Sequence, residues 1–328
     1  MSSIAPSNQE SLDLDDRLPG YAQYPALRFM GSKHRLLPWI EGVLADLSFE
    51  TAIDAFSGSG CVSYLLKTMG KSVWANDFLR FTCDLTRATV ENSSEILEPS
   101  DVELLLTPAP DRARFIETSF QDIFFSEQDN AFLDQVWTYL PTLSPYKRSI
   151  ALAALYRACL KRQPRGVFSV SGIGRYDDGR RDLRLSIREH FLESVPLFNR
   201  LVFDNGRQHR TTCGDVFGLE NPSVDLAYLD PPYVPRADDN CYIKRYHFLE
   251  GLASYWRGVE FHPASKVKKL RKRYTPFSYR RDAETAFDRV FQMFSKSTIV
   301  LSYSSVSGTQ RKRSSSFQSS TARFSLTS

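Results

Sequence analysis

Apolar positions recur along this chain with two different periods, and the alternation of those periods outlines the fold. Leu36, Leu37, Ile40, Val43, Leu44 and Leu47 return at helical spacing, which predicts a first helix from near Ser32. Thr51 to Phe56 is a short apolar run closed by Ser57-Gly58-Ser59-Gly60, and Val62, Tyr64, Leu65 and Leu66 then predict a helix. Ser72 to Ala75 reads as a second strand ending in Asn76-Asp77. Strand, glycine turn, helix and strand make a βαβ unit, and such units imply a parallel sheet.

From about Glu91 to Leu201 the pattern becomes helical. Phe132, Leu133, Val136 and Trp137 form one stripe, and Ile150 to Leu160 reads as a more buried helix followed by a polar segment rich in glycine and arginine. The sheet pattern returns at Val224-Asp225-Leu226-Ala227-Tyr228-Leu229. It returns again at Thr298 to Tyr303, after a helix whose face is Phe287, Val290, Phe291 and Phe294. The expected architecture is α/β: a parallel sheet built from residues 25–90 and 204–305, interrupted by a mostly helical insertion over 91–203. Residues 1–24 are expected to be flexible. The serine-rich stretch 306–328 has no periodicity and is expected to be disordered, leaving the C-terminal end of the sheet incomplete.

Composition narrows the class without deciding it. At 328 residues there is room for one large domain with an insertion. No apolar run approaches the roughly 20 residues of a membrane span, and the acidic, polar start lacks a signal-peptide pattern, so a cytoplasmic protein without a membrane partner is expected. The five cysteines are scattered, with no CxxC pair and no neighbouring His cluster, which argues against a zinc site and against a disulfide framework, and no metal is expected to be required. A net charge of +4 says little about nucleic acid, but its distribution says more, because cations concentrate in two stretches.

Two constellations carry chemistry. In Asp54-Ala55-Phe56-Ser57-Gly58-Ser59-Gly60 an acid ends a strand and glycines follow before a helix, which lets backbone approach a nucleotide-like ligand; a plain turn has the same form. Asp77 ends the next strand, where an acid accepts hydrogen bonds from ribose hydroxyls, although a helix N-cap would look alike. Together they point to an adenosine-type cofactor. The second constellation, Asp230-Pro231-Pro232-Tyr233, directly follows a fully apolar strand and so sits at the carboxyl edge of the sheet. Two prolines fix φ and lack donors, so a carboxylate, a proline carbonyl and an aromatic face are presented together. That set suits an exocyclic base amine: its N–H groups bond to Asp230 and the Pro231 carbonyl while Tyr233 stacks on the ring. Tyr242, Tyr246 and His247 follow closely and are candidates to line the same pocket.

The order Leu27-Arg28-Phe29-Met30-Gly31-Ser32-Lys33, DAFSGSG, Asn76-Asp77 and DPPY resembles the Dam-like, D12-class, alpha-type DNA adenine-N6 methyltransferases over roughly residues 25 to 303. The resemblance implies a Rossmann-like fold dependent on S-adenosylmethionine, with the inserted region as target-recognition domain. It implies that Phe29 and Gly31 lie near the cofactor and that Lys33 pairs with its carboxylate. Asp54, Phe56, Gly58 and Gly60 would form the loop at its amino-acid end, Asp77 would hold the ribose and Asp215 would sit at its adenine. The implied substrate is a specific double-stranded DNA sequence, with the adenine flipped into the DPPY pocket.

Two basic stretches fit a DNA partner, although solvated loops would read the same. Lys161-Arg162-Gln163-Pro164-Arg165-Gly166 is followed by Arg175, Arg180, Arg181, Arg184 and Arg188, and the second stretch runs from Lys266 to Arg281. Arg162, Arg165, Arg180, Arg181, Lys268, Arg271 and Arg273 are the candidate contacts. The protein is expected to act as a monomer, beside a cognate restriction endonuclease if it belongs to a restriction–modification pair. The alternatives are an adenine-N6 methyltransferase of ribosomal RNA and a truncated, inactive DNA-binding remnant. Cytosine-C5 chemistry needs a nucleophilic cysteine, usually after proline, and none of the five follows one.

Overall fold

Strand β1 (Thr51–Asp54) alternates its side chains between two hydrophobic clusters. Ala52 joins one and Ile53 the other, and β4 (Leu226–Leu229) divides in the same way. Both faces of the sheet are therefore covered, which is why these strands read as continuous apolar runs. A computed structural model describes residues 20–169, 171, 178–232, 242–271 and 273–302. The expectations for residues 1–19 and for the 306–328 stretch lie outside the described residues.

Five strands form one all-parallel sheet in the order β3-β2-β1-β4-β5, with β2 at Ser72–Asp77, β3 at Arg210–Cys213 and β5 at Thr298–Leu301. The mixed α/β architecture expected from the periodicity is present. β3 is the strand the pattern missed. Its sequence, Arg-Thr-Thr-Cys, has no apolar run because it lies at the edge of the sheet and is largely exposed. Trp74 of β2 anchors it, donating from Nε1 to the Thr212 hydroxyl at 2.8 Å and lying 3.4 Å under the Arg210 guanidinium.

Helices α1 (Leu37–Ala45), α2 (Cys61–Thr68) and α3 (Arg80–Thr86) pack on one face of the sheet. α3 runs on into a π-helical turn at Arg87–Glu91. Then come α4 (Pro99–Leu106), α5 (Phe115–Ser119), α6 (Glu127–Tyr139), α7 (Pro145–Arg162), α8 (Arg181–Arg184) and α9 (Ile187–Asn199). α7 packs against both α9 and α3, and one apolar cluster contains residues of the sheet, of α2 and α3 and of this helical segment. The last two helices are α10 (Tyr242–Ser254) and α11 (Arg280–Met293), and α11 covers the opposite face with Ala286 and Val290. Among the described residues, no helix is long and apolar enough to cross a membrane.

Lys67 of α2 fastens both ends of the helical segment. Its buried ammonium donates to the carbonyls of Thr89 (3.3 Å) and Asn92 (2.8 Å), and its own carbonyl accepts from Asn205 at 2.9 Å. Burial pushes this amine down to about 8. After β1, β2 and β3 have run outward in one direction, the chain returns to lay β4 on the other side of β1. The crevice between the carboxyl ends of β1 and β4 is thus the topological switch point, the place where open α/β sheets bind ligands.

Candidate active site

At that switch point lies a cleft of about 1060 Å3, counting its solvent mouth. β1 delivers Asp54 into it. The side chain is almost wholly buried, and Oδ2 accepts a 2.7 Å hydrogen bond from the Ser63 hydroxyl one turn into α2. Oδ1 is buried with no hydrogen-bond partner among the described residues. Burial raises this carboxyl to about 7; the Ser63 hydroxyl offsets part of the rise, and the charges of Asp230 and Asp77 add to it.

The turn after Asp54 is shaped by its glycines. Gly60, at φ +81°, starts α2 in the left-handed region, and a Cβ there would meet the Tyr24 hydroxyl at 2.8 Å. That hydroxyl donates to the Ser59 carbonyl at 2.6 Å, so the strand-to-helix turn is braced from the N-terminal side. Gly60 does not itself line the cleft, whereas Phe56 and Gly58 do. The Gly58 amide donates to Asp77 Oδ2 at 2.8 Å, and the Leu79 amide donates to Asp77 Oδ1 at 2.9 Å. Asp77 therefore joins the glycine turn to the start of α3 while facing the cleft. Burial raises its carboxyl, and these two amides hold it partly down.

Asn76, part of the Asn76-Asp77 motif but given no role by the sequence pattern, knits the carboxyl ends of three strands. Its amide donates to the carbonyls of Ala55 (3.2 Å) and Gly214 (3.3 Å), and its Oδ1 accepts from Thr212 at 2.8 Å. Beyond it, Asp215 caps the turn at Val216–Gly218 by accepting from the Phe217 amide at 3.0 Å, and it lines the cleft.

The N-terminal element closes the other side. Phe29 stacks on Tyr246 at 5.0 Å between centroids, and Gly31, at φ +75°, leaves only enough room for the Tyr242 hydroxyl, 2.7 Å from where a Cβ would stand. Lys33 is buried and reaches Asp230 Oδ2 at 2.5 Å, also donating to the Gly31 carbonyl at 3.1 Å. The resemblance assigned Lys33 to a cofactor carboxylate; in the structure it pairs with the acid that follows β4. Asp230 and Pro232 line the cleft, Pro231 adjoins them, and Tyr233 lies outside the described residues.

Of the three residues placed near the tetrad, Tyr242 lines the cleft. Tyr246 is buried, and its hydroxyl accepts the Met30 amide at 2.6 Å. His247 needs correcting: it is fully buried among Phe124 and Phe168, bonded to the Phe168 carbonyl at 2.7 Å, and pushed by burial down to about 4. It is part of the core and not of a base pocket. Among the described residues, no group of three or more His, Cys, Asp or Glu side chains is arranged to hold a metal ion.

The basic candidates separate by their partners. Arg162 is largely buried, donating to Asp129 at 3.2 Å and to the Leu183 carbonyl, so its guanidinium is built into the protein. Arg180 and Arg181 are exposed and paired with Asp178 and Glu193. Arg165 is exposed just past α7. Lys268 lies 5.8 Å from the Phe261 ring, and Arg271 pairs with Glu260 at 3.0 Å. Arg273 lines the cleft itself. Arg28, which the sequence reading left without a role, holds the first basic stretch in position: it donates to the carbonyls of Lys161 (3.1 Å) and Gln163 (3.0 Å) and to Asp182 (2.7 Å). The residue before Phe29 thereby ties that stretch to the wall of the cleft.

The chain is similar to known proteins over nearly the whole of this architecture. Residues 29–299 match the family described as D12 class N6 adenine-specific DNA methyltransferase. The type II methyltransferase M2.HphI of Haemophilus parahaemolyticus is 30% identical over 247 residues, covering 71% of this chain and 72% of that protein. The type II methyltransferase M.NlaIII of Neisseria lactamica is 24% identical, covering 84% of this chain and 83% of that one. The modification methylase StsI of Streptococcus sanguinis is 22% identical over 84% of this chain and 44% of its own length. With its parallel sheet, its acid-lined cleft at the switch point and this match, the chain belongs to the D12 class of N6 adenine-specific DNA methyltransferases.

Proposed function

We propose that this protein transfers the methyl group of S-adenosylmethionine to the N6 amine of an adenine flipped out of a specific duplex DNA sequence. The observation that carries the reading is the meeting of Asp230, Lys33, Asp54 and Asp77 around one cleft at the switch point. The residues suit the cofactor. Asp54 Oδ1 is a buried acceptor without a partner among the described residues, suited to an amino group, and Asp77 stands at the end of β2, where doubly wound sheets hold a ribose. When bound, the cofactor supplies an electrophilic sulfonium methyl.

The rest of the chemistry falls to this chain. An adenine amine is a poor nucleophile because its lone pair is delocalised into the ring. Asp230 and the Pro231 carbonyl accept its two N–H bonds, favouring a more tetrahedral nitrogen and so stabilising the transition state for methyl transfer. Lys33 holds Oδ2 of that carboxylate and fixes its direction before the base arrives. Tyr233 supplies the aromatic face for the flipped base. The proton released on methylation leaves to water, which the burial of His247 makes the simpler route. DNA is the better substrate than ribosomal RNA because the family match names it. A cognate endonuclease remains part of the proposal, since M2.HphI and M.NlaIII bear type II methyltransferase names.

The test is a methylation assay on genomic duplex DNA and on structured RNA, with methylated adenine as the readout. Duplex DNA should accept methyl groups and RNA should not. Asp230→Ala should lower turnover by at least about 10²–10³-fold, the scale of losing one transition-state hydrogen-bonding group, with cofactor affinity within a few-fold. Near-normal turnover in that variant would remove Asp230 from the mechanism.

A further inference from the structure

Arg273 belongs to the second basic stretch, which sequence alone assigned to DNA, yet its side chain turns inward. Its guanidinium lies 5.5 Å from the centroid of Phe78, the residue directly after Asp77, and both line the cleft. Glu250 of α10, buried beneath, sets that position. Its Oε2 accepts from the Arg80 amide at 2.8 Å and the Phe81 amide at 3.4 Å at the start of α3, and its Oε1 stands 3.5 Å from Arg273 Nη1. Burial raises the Glu250 carboxyl to about 7, with the Arg273 charge opposing the rise. The residues just after Arg273 continue along the same wall: Thr275, Phe277 and Ser278 line the cleft, and Phe277 packs on Phe56 and Phe217.

A planar cation held over an aromatic ring beside the ribose acid is a stacking surface. A guanidinium offers its face to an electron-rich heterocycle more readily than to a phosphate when its edge is already turned to a carboxylate. We propose that Arg273 is a cofactor-binding residue that forms the wall at the nucleoside end of the cleft, pinned there by Glu250, and is not a DNA contact. This rests on the reading of the cleft as an S-adenosylmethionine site. Glu250 is the positioning residue in this arrangement.

The test uses the full chain, with calorimetric binding of S-adenosylhomocysteine as one readout and anisotropy of a labelled DNA duplex over a salt series as the other. Arg273→Ala should weaken S-adenosylhomocysteine by about fivefold to tenfold, between the scales of an exposed and a fully desolvated cation–π contact. Duplex affinity and its salt slope should stay unchanged. Arg273→Lys keeps the charge beside Glu250, and so the fold, but loses the plane; it should weaken the ligand by a similar factor. Glu250→Gln keeps an acceptor for the Arg80 and Phe81 amides and should weaken the ligand several-fold. The proposal is overturned if Arg273→Ala binds S-adenosylhomocysteine within twofold of the parent. It is equally overturned if Arg273→Lys restores parental affinity, since Arg273 would then serve only to neutralise Glu250. A drop in the salt slope by about one, with ligand binding intact, would return Arg273 to the DNA contacts. Failure of the parent protein to bind S-adenosylhomocysteine would instead sink the cofactor reading itself.

Discussion

A carboxyl buried as Asp54 is keeps its proton until about pH 7, while in the unfolded chain it loses it near the ordinary aspartate value, about 4. Between those two pH values the folded state binds the extra proton, so this group's contribution to stability is full below about pH 4 and is lost as pH rises towards 7. Asp54→Asn removes the titration and keeps an acceptor for the Ser63 hydroxyl. The ligand-free variant should therefore gain melting temperature relative to the parent as pH goes from 5 to 8, and parallel curves would show that Asp54 does not titrate in this window. Cofactor binding should run the other way. If an ionised Asp54 accepts the cofactor's amino group, the parent's affinity should rise through pH 7 and the variant's should stay flat. Asp54 was legible in the sequence because an acid before closely spaced glycines is a local pattern. Ser63, Glu250 and Arg28 were not, since each acts through partners 9, 23 and about 135 positions away, respectively.

The strands were read correctly wherever both their faces are covered, because burial on two sides writes an apolar run. Edge strand β3 writes none. α10 escaped notice for a related reason: it departs from helical geometry at Tyr246 and buries His247 and Glu250 among its apolar residues, so no stripe emerges. The basic stretches show what a count of cations cannot supply, because Arg162 and Arg273 differ from Arg180 only in the direction the folded chain gives them. Local shape is clearest at the turn into α2. Gly60→Ala would force a left-handed φ on a residue with a Cβ, at a cost of roughly 1–2 kcal/mol, and would press that Cβ on the Tyr24 hydroxyl. Urea unfolding should show a loss of about that size or somewhat more, and pairing the change with Tyr24→Phe should recover little, since the backbone strain remains. Full recovery in the double variant would place the whole effect in the side-chain contact.

The cleft is assembled from parts of the chain that only the complete fold brings together: Phe29 and Lys33 near its start, Asp54 and Asp77 on β1 and β2, Asp215 and Asp230 after β3 and β4, and Arg273 to Ser278 beyond α10. The order of these motifs was visible in the sequence, whereas the Lys33–Asp230 ion pair and the inward turn of Arg273 were not, because both cross the cleft between segments remote in the chain. An unfolded chain cannot present such a site. A ligand that spans it must therefore stabilise the native state by mass action, by about 2.7 kcal/mol at a hundredfold excess over its dissociation constant. For a chain of 328 residues each kcal/mol raises the melting temperature by roughly 1.5 °C, so a hundredfold excess of S-adenosylmethionine should raise the midpoint by roughly 4 °C. Asp77→Ala should lose most of that rise. Its ligand-free midpoint should fall as well, since the Gly58 and Leu79 amides lose their acceptor. The difference between bound and free midpoints is the quantity that isolates the ligand. Asp230→Ala should keep the rise, because its carboxylate is assigned to the base and not to the cofactor. A parent protein with no rise would mean that the cleft does not hold S-adenosylmethionine, and a rise that survives Asp77→Ala unchanged would place the ribose elsewhere on the sheet edge.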